Sequence, residues 1–277
     1  MVFAKNLLFS SCYFIIFMPF FSHSSAWLVE KGKYKIISQI EFKKFHEVTK
    51  NYDKDYTQAE TNYLKLSIDY GLSERYNLLG EINFSKLHSY KYIFTHNQEN
   101  YIQSKKSKRF FAFPNKFDSA SFGIRKKILK NKLFVMSNDL KLVILPDEKL
   151  QLNYKIAAGT NFIIKNRNFF TQAEYYFNFN PIFHNYDNKF ALAIGYKKSP
   201  KKTYILSFEN YFKKNYYNKL FNQKVKLPKE FNETRVQFAS ITYINKKASF
   251  QKAIFTTINQ EKSFSSSGII LGIWFNL

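Results

Sequence analysis

Apolar and polar residues alternate along this chain with a period of two, in stretches of about ten to twelve residues that recur to its end. In Tyr63–Tyr70, Leu64, Leu66, Ile68 and Tyr70 share one face while Lys65, Ser67 and Asp69 share the other. Tyr154, Ile156, Ala158, Phe162 and Ile164 alternate in the same way with Lys155, Gly159, Asn161 and Lys165. Phe190, Leu192, Ile194 and Tyr196 alternate with Ala191, Ala193, Gly195 and Lys197. A helix would scatter such residues round its circumference; a strand sorts them onto two faces. The pattern predicts twelve strands, roughly 32–42, 58–70, 76–87, 117–129, 133–145, 152–165, 169–179, 188–197, 203–213, 233–244, 248–257 and 266–277. Ten or fourteen stay open. Val236, Phe238 and Ser240 compete with Ala239, Ile241 and Tyr243 for the outer face, and Gln251 sits beside Lys252. A β-bulge would reconcile both places.

The connections alternate in length. Gly71–Arg75, Lys130–Lys132, Asn166–Asn168, Lys198–Lys202 and Asn245–Lys247 read as tight turns; His88–Lys116 and Lys214–Asn232 are long links. Short turns at one end and long loops at the other are the mark of an up-and-down antiparallel transmembrane β-barrel, with the short ends periplasmic. A soluble β-sandwich would not need Leu, Ile, Phe and Tyr all round its sheet. After residue 26 no run approaches the ~18 consecutive apolar residues of a helical span.

The N-terminus supplies an address. Lys5 precedes a mostly apolar run from Leu7 to Phe21, and Ser24-Ser25-Ala26 places small residues before Trp27. This is the pattern of a secretory signal peptide, so residues 1–26 are expected to be removed and 27–277 to form the barrel. Cys12, the only cysteine, lies inside that signal. The mature barrel would then rest on strand pairing without disulfides.

Composition changes the picture in one respect. Aromatic residues make up 19% of the chain, yet mean hydropathy is −0.37, a combination suited to strands with one lipid face and one polar face. The net charge of +23 first suggests nucleic acid, but an exported chain meets phosphate-bearing lipids instead. Lys91–Lys116 carries six basic residues against Glu99, and Lys213–Glu230 carries six lysines against Glu230. The expected partners are outer-membrane lipids and lipopolysaccharide phosphates, the barrel-assembly machinery and periplasmic chaperones, with no nucleic acid. Phe110, Phe111 and Phe113 read as interfacial anchors.

At the C-terminus Ile269, Leu271, Ile273 and Phe275 fall on one face, completed by Leu277. This row resembles the signal by which the barrel-assembly machinery recognises outer-membrane proteins, although that signal usually ends in Phe or Trp. The stretch Asp69–Tyr76 is similar to the periplasmic hairpin of porin-like proteobacterial barrels. Ala26-Trp27-Leu28 followed by Lys31-Gly32-Lys33 is similar to a set of little-characterised transporter-like barrels. The resemblance implies place and assembly; it carries no substrate.

Catalytic chemistry finds little support. His46, His88, His96 and His184 have no i, i+4 pairing and no cysteine partner, so no metal site or cofactor is assigned. The twelve-stranded outer-membrane phospholipase needs a serine with a histidine base in reach; His184-Asn185 has no serine beside it, and no catalytic residue is assigned. The inner face is more informative. With the apolar faces outward, Lys35, Lys65, Arg125, Lys127, Lys141, Lys155, Lys165, Lys197 and Arg235 point inward, against Glu41, Asp69, Glu81, Asp139, Glu174 and Glu209. These charges either pair across strands and fill the interior or line a narrow pore with mild anion preference. The expected function is a passive porin-like channel for small, anionic solutes. The alternative is a non-channel structural or adhesive barrel acting through basic extracellular loops, with a lipid hydrolase third.

Overall fold

The computed structural model describes residues 27–48, 56–96, 99–105, 113–131, 134–146, 149–180, 185–214, 230–259 and 264–277. Residues 1–26, Phe110, Phe111 and the middle of the 214–232 link, all subjects of sequence expectations, lie outside the described residues.

The chain runs through thirteen strands: β1 (Tyr34–Val48), β2 (Tyr56–Gly71), β3 (Tyr76–His96), β4 (Glu99–Lys105), β5 (Lys116–Lys130), β6 (Phe134–Leu145), β7 (Lys149–Ile164), β8 (Arg167–Asn180), β9 (Asn185–Ser199), β10 (Lys202–Lys214), β11 (Glu230–Tyr243), β12 (Ala248–Asn259) and β13 (Phe264–Asn276). Each pairs antiparallel with its neighbours, and β1 pairs with β13 from Lys35↔Asn276 to Val48↔Phe264. That pairing closes the ring. β4 touches only the distal part of β3, so twelve strands form the barrel, as the alternation predicts. The long link after β3 is thus partly a hairpin that continues the sheet past the barrel. Closure removes the free sheet edges that would otherwise recruit another chain.

The outer surface is apolar. Leu66, Ile68, Phe122, Ile124, Leu140, Leu192, Ile194, Phe208, Phe238 and Ile254 are all exposed on it. Near the short-turn end the outer face gathers aromatic rings. Tyr34 stacks on Tyr70 at 4.6 Å, Phe162 on Phe169 at 5.7 Å, and Phe169 on Tyr196 at 5.1 Å. Arg167 lies over Tyr196 and Lys202 over Tyr204. Amphipathic rings beneath cations suit the boundary between hydrocarbon and headgroups.

Local chemistry sets the turns. Ser73 Oγ accepts from the Arg75 and Tyr76 amides between β2 and β3. Asn245 Oδ1 accepts from the Lys247 and Ala248 amides between β11 and β12. Between β7 and β8 the turn is Lys165–Asn166, with φ of 47° and 60°, tighter and earlier than the expected Asn166–Asn168. Two residues with positive φ match the twist of the flanking strands, and Asn tolerates that region well. This corrects one assignment: Lys165 belongs to no strand, is exposed in the turn, and does not line the interior.

The ambiguous strands β11 and β12 need no bulge. Their mutual register runs unbroken from Glu233↔Asn259 to Tyr243↔Ser249. Phe238 faces out, whereas Ala239 and Ile241 are buried inside. Gln251 faces in and Lys252 out. The alternation blurs because the inner face here is itself apolar: Ala239, Ala253, Phe255 and Ile270 form a small core inside the barrel, with Ile205 packed against it.

Candidate functional site in the barrel interior

Period-two alternation makes the inner face of each strand a fixed set of residues, so the ring brings distant charges together. Facing residues on β2, β3, β5, β6 and β7 build one ionic net. Arg125 Nε donates to Asp139 Oδ1 at 2.8 Å, and its Nη1 donates to Asp69 Oδ2 at 3.1 Å. Lys155 reaches the other Asp139 oxygen at 2.7 Å. Asp139 is fully buried, and Arg125 and Lys155 nearly so. Above this group Glu81 receives Lys65 at 2.9 Å and Lys141 at 3.3 Å. Asn83 links Glu81 to Ser119. Neighbouring cations stay close only because carboxylates lie between them; buried charges without such partners carry a large desolvation cost.

A second group lies on β8, β9 and β10. Lys189 bonds Glu209 at 3.0 Å and stands 5.1 Å from the Tyr176 ring and 4.7 Å from the Tyr211 ring. Tyr211 donates to Glu209, while Tyr176 and Gln172 donate to Glu174. A third joins β11 to β1: Arg235 donates to Glu41 at 3.1 Å and lies 3.6 Å over the Phe255 ring. Lys43 meets Glu233 at 3.7 Å.

Of the interior residues expected from sequence, the structure therefore brings Lys65, Glu81, Arg125 and Lys155 into the first net, Glu174 into the second group and Arg235 into the third. Lys35 lies over the Trp274 ring at 5.0 Å. Lys165 stands apart in its turn. Ile269, Ile273, Phe275 and Leu277 are exposed on the outer face with Leu271 between them, and Leu277 exchanges backbone hydrogen bonds with Tyr34 at the seam.

Sequence reasoning missed Lys189, Lys43, Glu233 and the two tyrosines. Lys189 sits two places before Ala191 on the same face, so running the alternation back would have found it. Lys43 falls one residue past the expected end of its strand. Among the described residues no group of three or more His, Cys, Asp or Glu side chains is placed to hold a metal ion.

No protein-family model and no curated protein matches the chain. Solved structures do match its fold. An outer membrane channel from Pseudomonas putida aligns with a TM-score of 0.58 over 92% of this chain and 99% of its own, at 8% identity. The transport unit of the autotransporter AIDA-I from Escherichia coli aligns at 0.55 over 99% and 97%, at 9% identity. The translocator domain of the autotransporter NalP from Neisseria meningitidis aligns at 0.52 over 89% of each chain, at 6% identity. A closed ring of twelve antiparallel strands, apolar outside and largely charged within, together with its match to these structures, gives this chain the fold of bacterial outer-membrane β-barrels.

Proposed function

We propose that the chain is a passive outer-membrane channel, entered through a narrow polar lumen, that passes small hydrophilic solutes with a mild preference for anions. One observation carries this reading: from β2 round to β10 the inner wall holds charged and hydrogen-bonding side chains inside a ring whose outside is apolar. A barrel that only had to be stable could fill its interior with apolar side chains and avoid the desolvation cost of so many charges. The sign of the preference follows from sharing. Glu81 answers both Lys65 and Lys141, and Lys35 rests on an indole. Fixed positive charge along a lumen favours anions. The short-turn end, where the cation-capped aromatics lie, is the periplasmic end in this reading.

A non-channel barrel is the second reading, and the burial of Arg125, Asp139 and Lys155 favours it. Planar-bilayer recording of the refolded protein separates the two. Stable conductance with an anion-biased reversal potential is expected. Lys65→Glu, at the half-exposed cation of the first net, should move that potential toward cation preference. A folded barrel that conducts at no salt concentration would overturn the channel reading.

A further inference from the structure

Of the residues ahead of β1, 27–29 are half-buried in the mouth of the barrel and 30–33 are exposed at its rim. Trp27–Lys33 turns in at the short-turn end, with the Gly32 amide donating to the Gly71 carbonyl at 2.7 Å and the Gly71 amide donating to Lys33 O at 3.0 Å. Gly71 is at the inner end of β2. A Cβ there would run into the Glu30 and Val29 carbonyls, so only glycine lets the segment lie this close. Asn77, at the start of β3, is fully buried beneath it. In the amide orientation that satisfies both of its polar atoms, it accepts from the Val29 amide at 2.7 Å and donates to the Val29 carbonyl at 3.2 Å. One side chain thereby takes the place of a missing strand for one residue of the segment.

From this clasp the segment leaves the β2–β3 wall and crosses to β7, three strands farther round the ring. There the Trp27 indole lies on Gly159, where a Cβ would stand 2.5 Å from two of its ring carbons. Gly159 belongs to the inner face, beside Gln172 and Val135 and two residues from the fully buried Ala157. It lies five residues inside the end of β7, so the indole stands within the lumen and clear of the rim. Glycine at both contact points, and a buried asparagine between them, mark a seat shaped for this segment. A chain that merely trailed past the opening would need none of the three.

We infer that residues 27–29 are a built-in constriction: an internal strap, anchored at the rim by residues 30–33, that narrows the channel's β2–β7 side, held by Asn77 and Gly71 at one end and by the Trp27–Gly159 contact at the other. The inference rests on the channel reading for its consequence but not for its geometry. Ejecting the indole should widen the path without disturbing the ring, since the strap adds no strand to the barrel.

Trp27 and Trp274 are the only two tryptophans of the chain, which makes the seat directly observable. Trp274→Phe leaves Trp27 as the single indole. With the protein in lipid vesicles, its emission should be blue-shifted and poorly quenched by acrylamide. Adding Gly159→Leu should shift the emission to the red and raise quenching severalfold, with unchanged heat-modifiable mobility showing that the barrel is still folded. Gly159→Leu alone, and a deletion of residues 27–30, should each raise single-channel conductance over the parent. Equal quenching with and without Gly159→Leu would overturn the seat. A conducting parent whose conductance neither variant changes would overturn the constriction. If Trp27 is shielded and released as stated but no variant conducts, the strap stands and it is the channel reading that fails.

Discussion

The interior has two walls of opposite character. On the β2–β7 side, Arg125, Asp69, Asp139, Lys155, Glu81, Lys65 and Lys141 form a net of charges. On the β10–β13 side, Ile205, Ala239, Ala253, Phe255 and Ile270 form an apolar core. Both are held together, but by different physics. The apolar wall gains from each buried carbon, and its loss on mutation scales with the volume removed. The ionic wall stands only while each charge keeps its partner, because a lone charge in the same place bears its desolvation cost alone. Twelve strands allow such a mixture: about eight are filled by side chains and sixteen leave a channel. Here two walls are packed in different ways, and in the proposed channel a solute would pass between them.

The largest effect should come from the ionic wall. Asp139→Ala leaves Arg125 and Lys155 facing each other across a fully buried site, and should destabilise the refolded barrel by roughly 3–5 kcal/mol in urea unfolding. The triple replacement Arg125→Ala, Asp139→Ala, Lys155→Ala should recover part of that loss, because the two cations of the fully buried site go with their carboxylate and only the less deeply buried Asp69 gives up a partner. If the triple variant is no better than the single one, the cost comes from lost packing and the contrast between the walls disappears.

Phe255→Ala tests the apolar wall, with an expected loss of about 3 kcal/mol from the cavity alone. Part of it will come through Arg235, which lies over the ring and also holds Glu41. Phe255→Leu, which nearly conserves volume, should cost about 1 kcal/mol. A loss in Phe255→Leu as large as in Phe255→Ala would mean that the ring's stacking under the guanidinium matters more than its volume.

These two walls were unequally legible in the sequence. On the ionic side the charged residues fall on inner positions opposite a mostly apolar outer row, so Lys65, Arg125 and Asp139 could be assigned to the interior from alternation alone, although Leu79, Val135 and Ala157 also face inward. On the other side Ala239, Ile241, Ala253 and Phe255 are apolar and inward, and the outer face offers Phe238 and Ile254 in competition. Hydropathy cannot sort two apolar faces; the ring's continuous hydrogen-bond register does. Partners were less legible still. Arg125 meets Asp69 across 56 residues once β2, β3 and β5 lie side by side, and Arg235 meets Glu41 across 194 only when β13 pairs with β1. The strap was invisible for the same reason: Trp27 next to an expected cleavage site reads as a terminus until Gly159 is opposite it.

The two faces of one strand sharpen the comparison further. Leu140 follows Asp139 on β6 but is half exposed on the outer surface. Leu140→Arg should cost about 2 kcal/mol when the barrel is unfolded from a bilayer, as a cation near the midplane of the lipid face does. In detergent micelles with a thin apolar shell the loss should shrink. A loss independent of the surrounding amphiphile would argue that Leu140 does not meet lipid.

The smallest expected effect is at Lys165, and its value lies in being small. The sequence places it on an inner face with Lys155; the structure puts it in a two-residue turn, exposed, with φ of 47°. A charge there is screened by salt and counts for little in stability. Lys165→Glu should therefore change unfolding by less than about 0.5 kcal/mol and leave the reversal potential where it was. Lys65→Glu, on the net around Glu81, should move it. Because both changes replace one cation by one anion, net charge is controlled and only position differs. Equal shifts would show that selectivity is set at the mouth of the barrel, and the inner nets would then serve to pack the wall without steering solutes.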